Sequence, residues 1–161
     1  MIVAASAFGL SVAEQKLRRQ TLSILDKHGY RGIAPQRIAQ MIHPAHVNDH
    51  ADVIRAMDSA LGQETLISQL RANVDRPSLE AQFSSLDMPV LIVGAAQDQL
   101  ARPEDLRAMA DLIPNADVEI IDQCGHMIPL ERPRVLAGLV SSFFSTAATA
   151  AAPPPASRAS L

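Results

Sequence analysis

The sequence predicts an α/β fold: about three parallel strands with flanking helices, and a helical stretch inserted between the first strand and the second. Two observations carry that prediction. Residues 88–93, Met-Pro-Val-Leu-Ile-Val, are a near-continuous apolar run of the kind that a parallel strand buried on both faces requires. Residues 117–122, Asp-Val-Glu-Ile-Ile-Asp, form a second strand after an intervening helical pattern. Strands joined by a helical crossover lie parallel in one sheet, so the residues leaving their carboxyl ends, Asp98 and His126, emerge on the same rim. Neighbouring strands are roughly 4.8 Å apart, close enough for a carboxylate on one exit loop to meet an imidazole on the next.

In order, residues 2–5, Ile-Val-Ala-Ala, read as a short buried strand with no preceding element to pair its outer edge. Residues 12–27 form a helix stopped by His28-Gly29, and residues 36–42 a short one with Ile38, Met41 and Ile42 on one face. Asn48 or Asp49 caps a third helix, expected to turn Ile54, Met57 and Leu61 inward before Gly62, and Leu66, Leu70 and Val74 mark a fourth, broken at Arg76-Pro77. After the strand at 88–93, Arg102-Pro103-Glu104-Asp105 opens a helix with proline in the first turn and two acids at the positive end of its dipole. Leu106, Met109, Ala110 and Ile113 give it one apolar face, and Pro114-Asn115 ends it. Beyond Pro133 a last helix is expected to set Val135, Leu136, Leu139, Val140 and Phe143 against the sheet. Residues 146–161, Ala-rich and containing three consecutive prolines, read as a disordered tail.

Composition limits the function classes. A chain of 161 residues with 48% hydrophobic content and a net charge of −3 is read as one soluble domain. Aromatics make up 3% and no basic stripe interleaves with them, which argues against nucleic acid as a partner. One cysteine permits no internal disulfide. With no signal-like leader and no apolar run near the roughly 20 residues that span a bilayer, a cytoplasmic protein without a membrane partner is expected.

Four groups of residues invite chemistry. A nucleophile elbow, Gly-x-Ser-x-Gly, is not found; the nearest approach is Gly9-Leu10-Ser11-Val12-Ala13, and there Ser11 with Glu14 three residues later reads as a capping box. His43, His46, His50 and Asp52 are close in sequence, but Pro44 interrupts them and no His-x-x-x-His pair is backed by a third ligand, so no metal is assigned. Cys124 lies two residues from His126 on one loop, where its sulfur does not reach the attacking side of the imidazole. His28, at a helix end, reads as a dipole-compensating surface residue. No cofactor is expected.

Two loops go further. Val93-Gly94-Ala95-Ala96-Gln97-Asp98-Gln99-Leu100-Ala101-Arg102-Pro103-Glu104 resembles the acid loop of the α/β-hydrolases, and Cys124-Gly125-His126-Met127-Ile128-Pro129-Leu130-Glu131-Arg132-Pro133 resembles their histidine loop, in the family's order of Asp then His. One departure is Ala95, where the family has glycine three residues before the acid; here Gly94 stands one place earlier.

The resemblance implies that residues 1–145 correspond to the C-terminal half of such a domain, with the first strand as the sixth of eight and a four-helix lid at about residues 11–83, as in the esterase, lactonase and carbon–carbon hydrolase branch. It implies that His126 is a general base and that Asp98 orients it. The expected function is hydrolysis of an ester, lactone or carbon–carbon bond by a Ser-His-Asp triad whose nucleophile lies outside this truncated chain, which is inactive alone. Two alternatives stand beside it: a non-catalytic remnant or interaction module, and cofactor-free base chemistry by the His–Asp pair. Expected partners are a small ester-like substrate, a separate N-terminal half, and a second copy docking on the exposed strand edge.

Overall fold

The computed structural model describes residues 1–150, with side chains to residue 146. Its strands are β1 (Ile2–Val3), β2 (Val90–Ala95) and β3 (Ala116–Ile121), in one sheet of order β1-β2-β3. Both pairings are parallel, with Ile2 beside Ile92 and Ile92 beside Val118. All six residues of β2 are buried, and its side chains alternate between two cores. Val90 and Ile92 pack with Leu106, Met109 and Ile113, the face of helix α5 (Pro103–Ala110) and the turn that follows it. Leu91, Val93 and Ala95 pack with Ile121, Cys124 and Ile128, under Leu136, Leu139 and Phe143 of helix α7 (Pro133–Ala150). This two-sided burial is why β2 is written as an unbroken apolar run, each buried aliphatic side chain contributing about 1.5–3 kcal/mol. β3 is an edge strand and alternates instead, with Asp117 and Glu119 exposed. Among the described residues no strand pairs the other edge of β1.

Between β1 and β2 the chain is mostly helical: α1 (Val12–His28), α2 (Pro35–Met41), a 3₁₀ turn (Pro44–His46), α3 (Val47–Val74) and the short α4 (Glu80–Phe83). Gly62, at φ 70°, breaks α3 into two arms, which correspond to the third and fourth helices expected from the sequence. Arg19 pairs with Asp75, and Tyr30 Oη donates to Asp58, so α3 is tied to α1 and to the loop that follows it.

Several expectations are corrected. Ile54 is buried with Ile38, Ile42 and Ala51, whereas Met57 and Leu61 are 47% and 55% exposed. The seven residues of α2 make a rod only about 10 Å long, which covers the first turns of α3 and no more. Phe83, the last residue of α4 and the end of the helical insertion, packs into the core of the sheet beside Val90 and Leu106. Val135 is exposed, because Leu136, Leu139 and Phe143 are the side of α7 that meets the sheet. The tail expected from residue 146 is helical as far as Ala150, continuing α7 through alanines, the strongest helix formers. The rest of that expected tail, residues 151–161, lies outside the described residues. No helix among the described residues is long and apolar enough to cross a membrane.

Candidate active site

Past the ends of β2 and β3 the ladder continues through the exit loops. Ala96 N–H donates to Ile121 O at 2.9 Å and Gln97 N–H to Cys124 O at 3.0 Å, while the Gln97 side-chain carbonyl accepts from Cys124 N–H at 3.0 Å. The loops therefore leave the sheet side by side. Asp98 N–H turns back onto Ala95 O at 3.1 Å, which buries its carboxylate completely. One oxygen, Oδ1, accepts from Leu100 N–H at 2.7 Å and Ala101 N–H at 3.0 Å. The other, Oδ2, lies 2.9 Å from His126 Nδ1.

Because a carboxylate there can only accept, the imidazole proton belongs on Nδ1 and the lone pair on Nε2. The His126 side chain is 26% exposed, and among the described residues no protein group hydrogen-bonds Nε2. A base with its far nitrogen held and its near nitrogen open can take a proton from an incoming hydroxyl. A cavity of about 430 Å³ opens beside the acid loop, between Pro44 of the helical layer and Gln97, Asp98, Gln99 and Arg102.

The departure at Ala95 leaves this aim intact. Glycine stands one place earlier, where a Cβ would sit 2.4 Å from Leu106 Cδ1 and 2.9 Å from Ile120 Cδ1 and would have to push both side-chain ends aside. Ala95 itself is fully buried in the α7-side core, where its methyl group has room.

On the histidine loop, the turn leaving β3 places Gln123 at φ 49°, and Arg132 Nη2 holds the Gln123 carbonyl at 2.7 Å. Gly125 lies against the helical layer so closely that a Cβ there would be 2.6 Å from His43 N and 2.7 Å from Ile42 C. Glu131, buried with its side chain fully enclosed, accepts from Gly125 N–H at 3.0 Å through Oε1 and from His43 N–H at 2.9 Å through Oε2. Glu131 stands inside the histidine-loop motif, whose sequence assigns it no role. It closes a four-residue helix, α6 (Ile128–Glu131), between Leu130 and Arg132, a context that gives no local signal of burial.

The remaining candidates are otherwise engaged. Ser11 and Glu14 form the capping box in full: Ser11 N–H donates to Glu14 Oε2 at 2.8 Å and Glu14 N–H to Ser11 Oγ at 3.3 Å. Hydrogen bonds from the Ser11 hydroxyl and backbone hold the Glu14 carboxyl below its ordinary range. His43 Nδ1 accepts from Ala45 N–H, His46 Nδ1 lies 3.4 Å from Glu131 Oε2, and the rings of His46 and His50 are 6.4 Å apart. Among the described residues no group of three His, Cys, Asp or Glu side chains is placed to hold a metal ion. Cys124 is fully buried, and burial, with Glu131 nearby, pushes its thiol up to about 12, so it is no thiolate at neutral pH. His28 is exposed at the end of α1.

The family model described as alpha/beta hydrolase fold matches residues 3–133. Monoacylglycerol lipase ABHD6 of Rattus norvegicus is 31% identical over 81 residues, which cover 50% of this chain and 24% of the lipase. Monoacylglycerol lipase abhd6-A of Xenopus laevis is 29% identical over 112 residues, 70% of this chain and 30% of that protein. The chain thus spans about a quarter to a third of the length of these relatives. Among solved structures, a thermophilic esterase from Thermogutta terrifontis superposes with a TM-score of 0.81 at 22% identity, over 90% of this chain and 54% of the esterase, a likeness of fold alone.

Proposed function

This chain belongs to the alpha/beta hydrolase fold family, and on that premise we propose that it supplies the acid and base of a Ser-His-Asp hydrolase acting on carboxylic esters, with the nucleophile carried by a segment outside residues 1–161. The observation that carries this reading is the His126 Nδ1 to Asp98 Oδ2 contact of 2.9 Å, with Nε2 left open. In the proposed reaction a serine hydroxyl meets Nε2, which takes its proton as the oxygen attacks the ester carbonyl. The proton then passes from Nε2 to the leaving alkoxide, and a water repeats the two steps to release the acid. Asp98 keeps its charge throughout and stabilises the imidazolium.

Oxyanion donors accompany the nucleophile elbow in this mechanism, and each is worth roughly a hundredfold or more in rate. The isolated chain is therefore proposed to be inactive. The two lipases it resembles favour esters, with lactones and carbon–carbon bonds as the wider class. The helices between β1 and β2 are proposed to roof the site, and the open edge of β1 to receive the nucleophile-bearing half. That same edge favours a second reading, an interaction module that pairs strands without catalysis.

Co-expression tests the proposal. The chain is paired with a polypeptide carrying the first five strands and the Gly-x-Ser-x-Gly elbow of an alpha/beta hydrolase, and hydrolysis of p-nitrophenyl acetate is followed. Activity in the pair should fall about 10³–10⁴-fold in Asp98→Asn, which misorients the base without disturbing the fold. An active pair in which Asp98→Asn is silent refutes the assignment, as does ester hydrolysis by the isolated chain that disappears in Ser11→Ala.

A further inference from the structure

We infer that Glu131 is a positioning residue for His126, coupling the orientation of the base to the seating of the helical layer over the sheet. The inference rests on the reading of His126 as the base.

Asp98 fixes one nitrogen of the ring, and a single hydrogen bond leaves open where the backbone of residue 126 sits. That backbone is held from both sides by one short segment of the helical layer. On one side, Gly125 N–H donates to Glu131 Oε1 at 3.0 Å, and the same carboxylate accepts from His43 N–H at 2.9 Å through Oε2. On the other, Met127 N–H donates straight to Met41 O at 3.1 Å. Residues 125 and 127 are thus clamped to residues 43 and 41, and His126 lies between the two rungs.

The clamp is dry. The Glu131 side chain has no exposed surface, and Met127 and Leu130 pack onto the buried cluster of Ile38, Ile42, Ala51 and Ile54. Arg132, next in sequence, sends its guanidinium to the carbonyls of Gln123 and Glu131 and makes no ion pair with the carboxylate. What satisfies Glu131 is therefore two backbone N–H groups, one from each of the pieces it joins, with His46 Nδ1 at 3.4 Å as a third neighbour on the helical side. A buried carboxylate shared in this way resists separation, because parting the two pieces strands a charge away from water. Displacing residues 41–43, as a ligand entering beneath the helices would, draws on both neighbours of His126 at once.

Nitrogen-15 NMR of the full chain tests the coupling. The readouts are the His126 Nδ1 proton and the hydrogen exchange of the His43, Gly125 and Met127 amides. In Glu131→Ala the Nδ1 proton should broaden or vanish, and the three amides should exchange at least tenfold faster. In Glu131→Gln the change should be partial, since the amide keeps one acceptor oxygen and turns an NH₂ toward the other donor. Met109→Ala, which opens the α5-side core around a fully buried side chain, should lower the melting temperature and leave all four signals in place.

An unmoved His126 proton with unmoved amides in Glu131→Ala overturns the inference; if that variant does not fold, the same result in Glu131→Gln does so. Equal movement in Met109→Ala also overturns it, because any loss of stability would then suffice. The readout is the position of the imidazole and not turnover. An unmoved proton in a chain whose reconstituted pair is active sinks this inference alone, and a moved proton in an inactive pair sinks only the proposed reaction.

Discussion

Replacing Gly125 by alanine loads a close approach of one backbone to another. The added Cβ would lie 2.6 Å from His43 N, 2.7 Å from Ile42 C and 2.9 Å from Ile42 Cα, where ordinary contact begins near 3.4 Å. All three are backbone atoms, so no side chain can rotate away. Relief requires the histidine loop and the α2 end to part by several tenths of an ångström, and two bonds already at 2.9 and 3.1 Å span that gap. Overpacking of this kind costs about 1–3 kcal/mol, and weakening the bonds to a buried carboxylate adds about 1–2 kcal/mol, giving a loss of about 2–5 kcal/mol. Gly138, in the middle of α7, is the internal control: nothing lies within 4 Å of its would-be Cβ, so alanine there should stabilise by about 0.5–1 kcal/mol. Urea denaturation followed by far-UV circular dichroism measures both. A Gly125→Ala midpoint within about 0.5 kcal/mol of the parent, with unchanged slope, would refute the contact and the clamp built on it.

Four further outcomes are expected. Ser11→Ala should cost about 1 kcal/mol in the same assay by removing the cap of α1, and should leave the activity of a reconstituted pair unchanged; loss of that activity would return Ser11 to the list of nucleophiles. Cys124 should resist iodoacetamide at pH 8 in the native chain and react when urea is added, and rapid native labelling would contradict its burial. Since Cys124 and Tyr30 are both pushed up to about 12 in the folded state, the unfolded chain releases their protons first; stability should fall as pH rises from about 9 towards 12, and a flat melting temperature across that window would contradict the assignment. The chain alone should run larger than a monomer on size exclusion, since the edge of β1 offers unpaired backbone groups, with Val3→Lys shifting it toward the monomer; a monomeric parent would count against the edge as a docking surface.

The parts legible in the sequence are those fixed by neighbouring residues. β2 and β3 follow from apolar runs and their crossover, and the meeting of Asp98 with His126 follows from parallel strands that end on one rim. The capping box at Ser11 is equally local. What escaped depends on distant partners: the 3.6-residue period puts Met57 and Leu61 near the face of Ile54, yet cannot reveal that α2 stops short of covering them. Nor does any local pattern announce Glu131, whose partners lie 88 and 85 residues away in the helical layer. Alanine-rich text before a proline run is ambiguous between helix and coil, and α7 resolved it as helix through Ala150.

The zipped exit loops carry a consequence for the order in which the site assembles. Asp98 and His126 are separated by 28 residues, and the bonds that zip their exit loops together span no more than that stretch of chain. The bridge from Glu131 to His43 closes a loop of 88. Closing the shorter loop costs less entropy, so the exit loops are expected to zip first and the helical cover to seat afterwards, fixing the backbone on both sides of His126. Pulsed hydrogen exchange would see protection appear first at Ala96, Gln97 and Cys124 and only later at His43 and Met127.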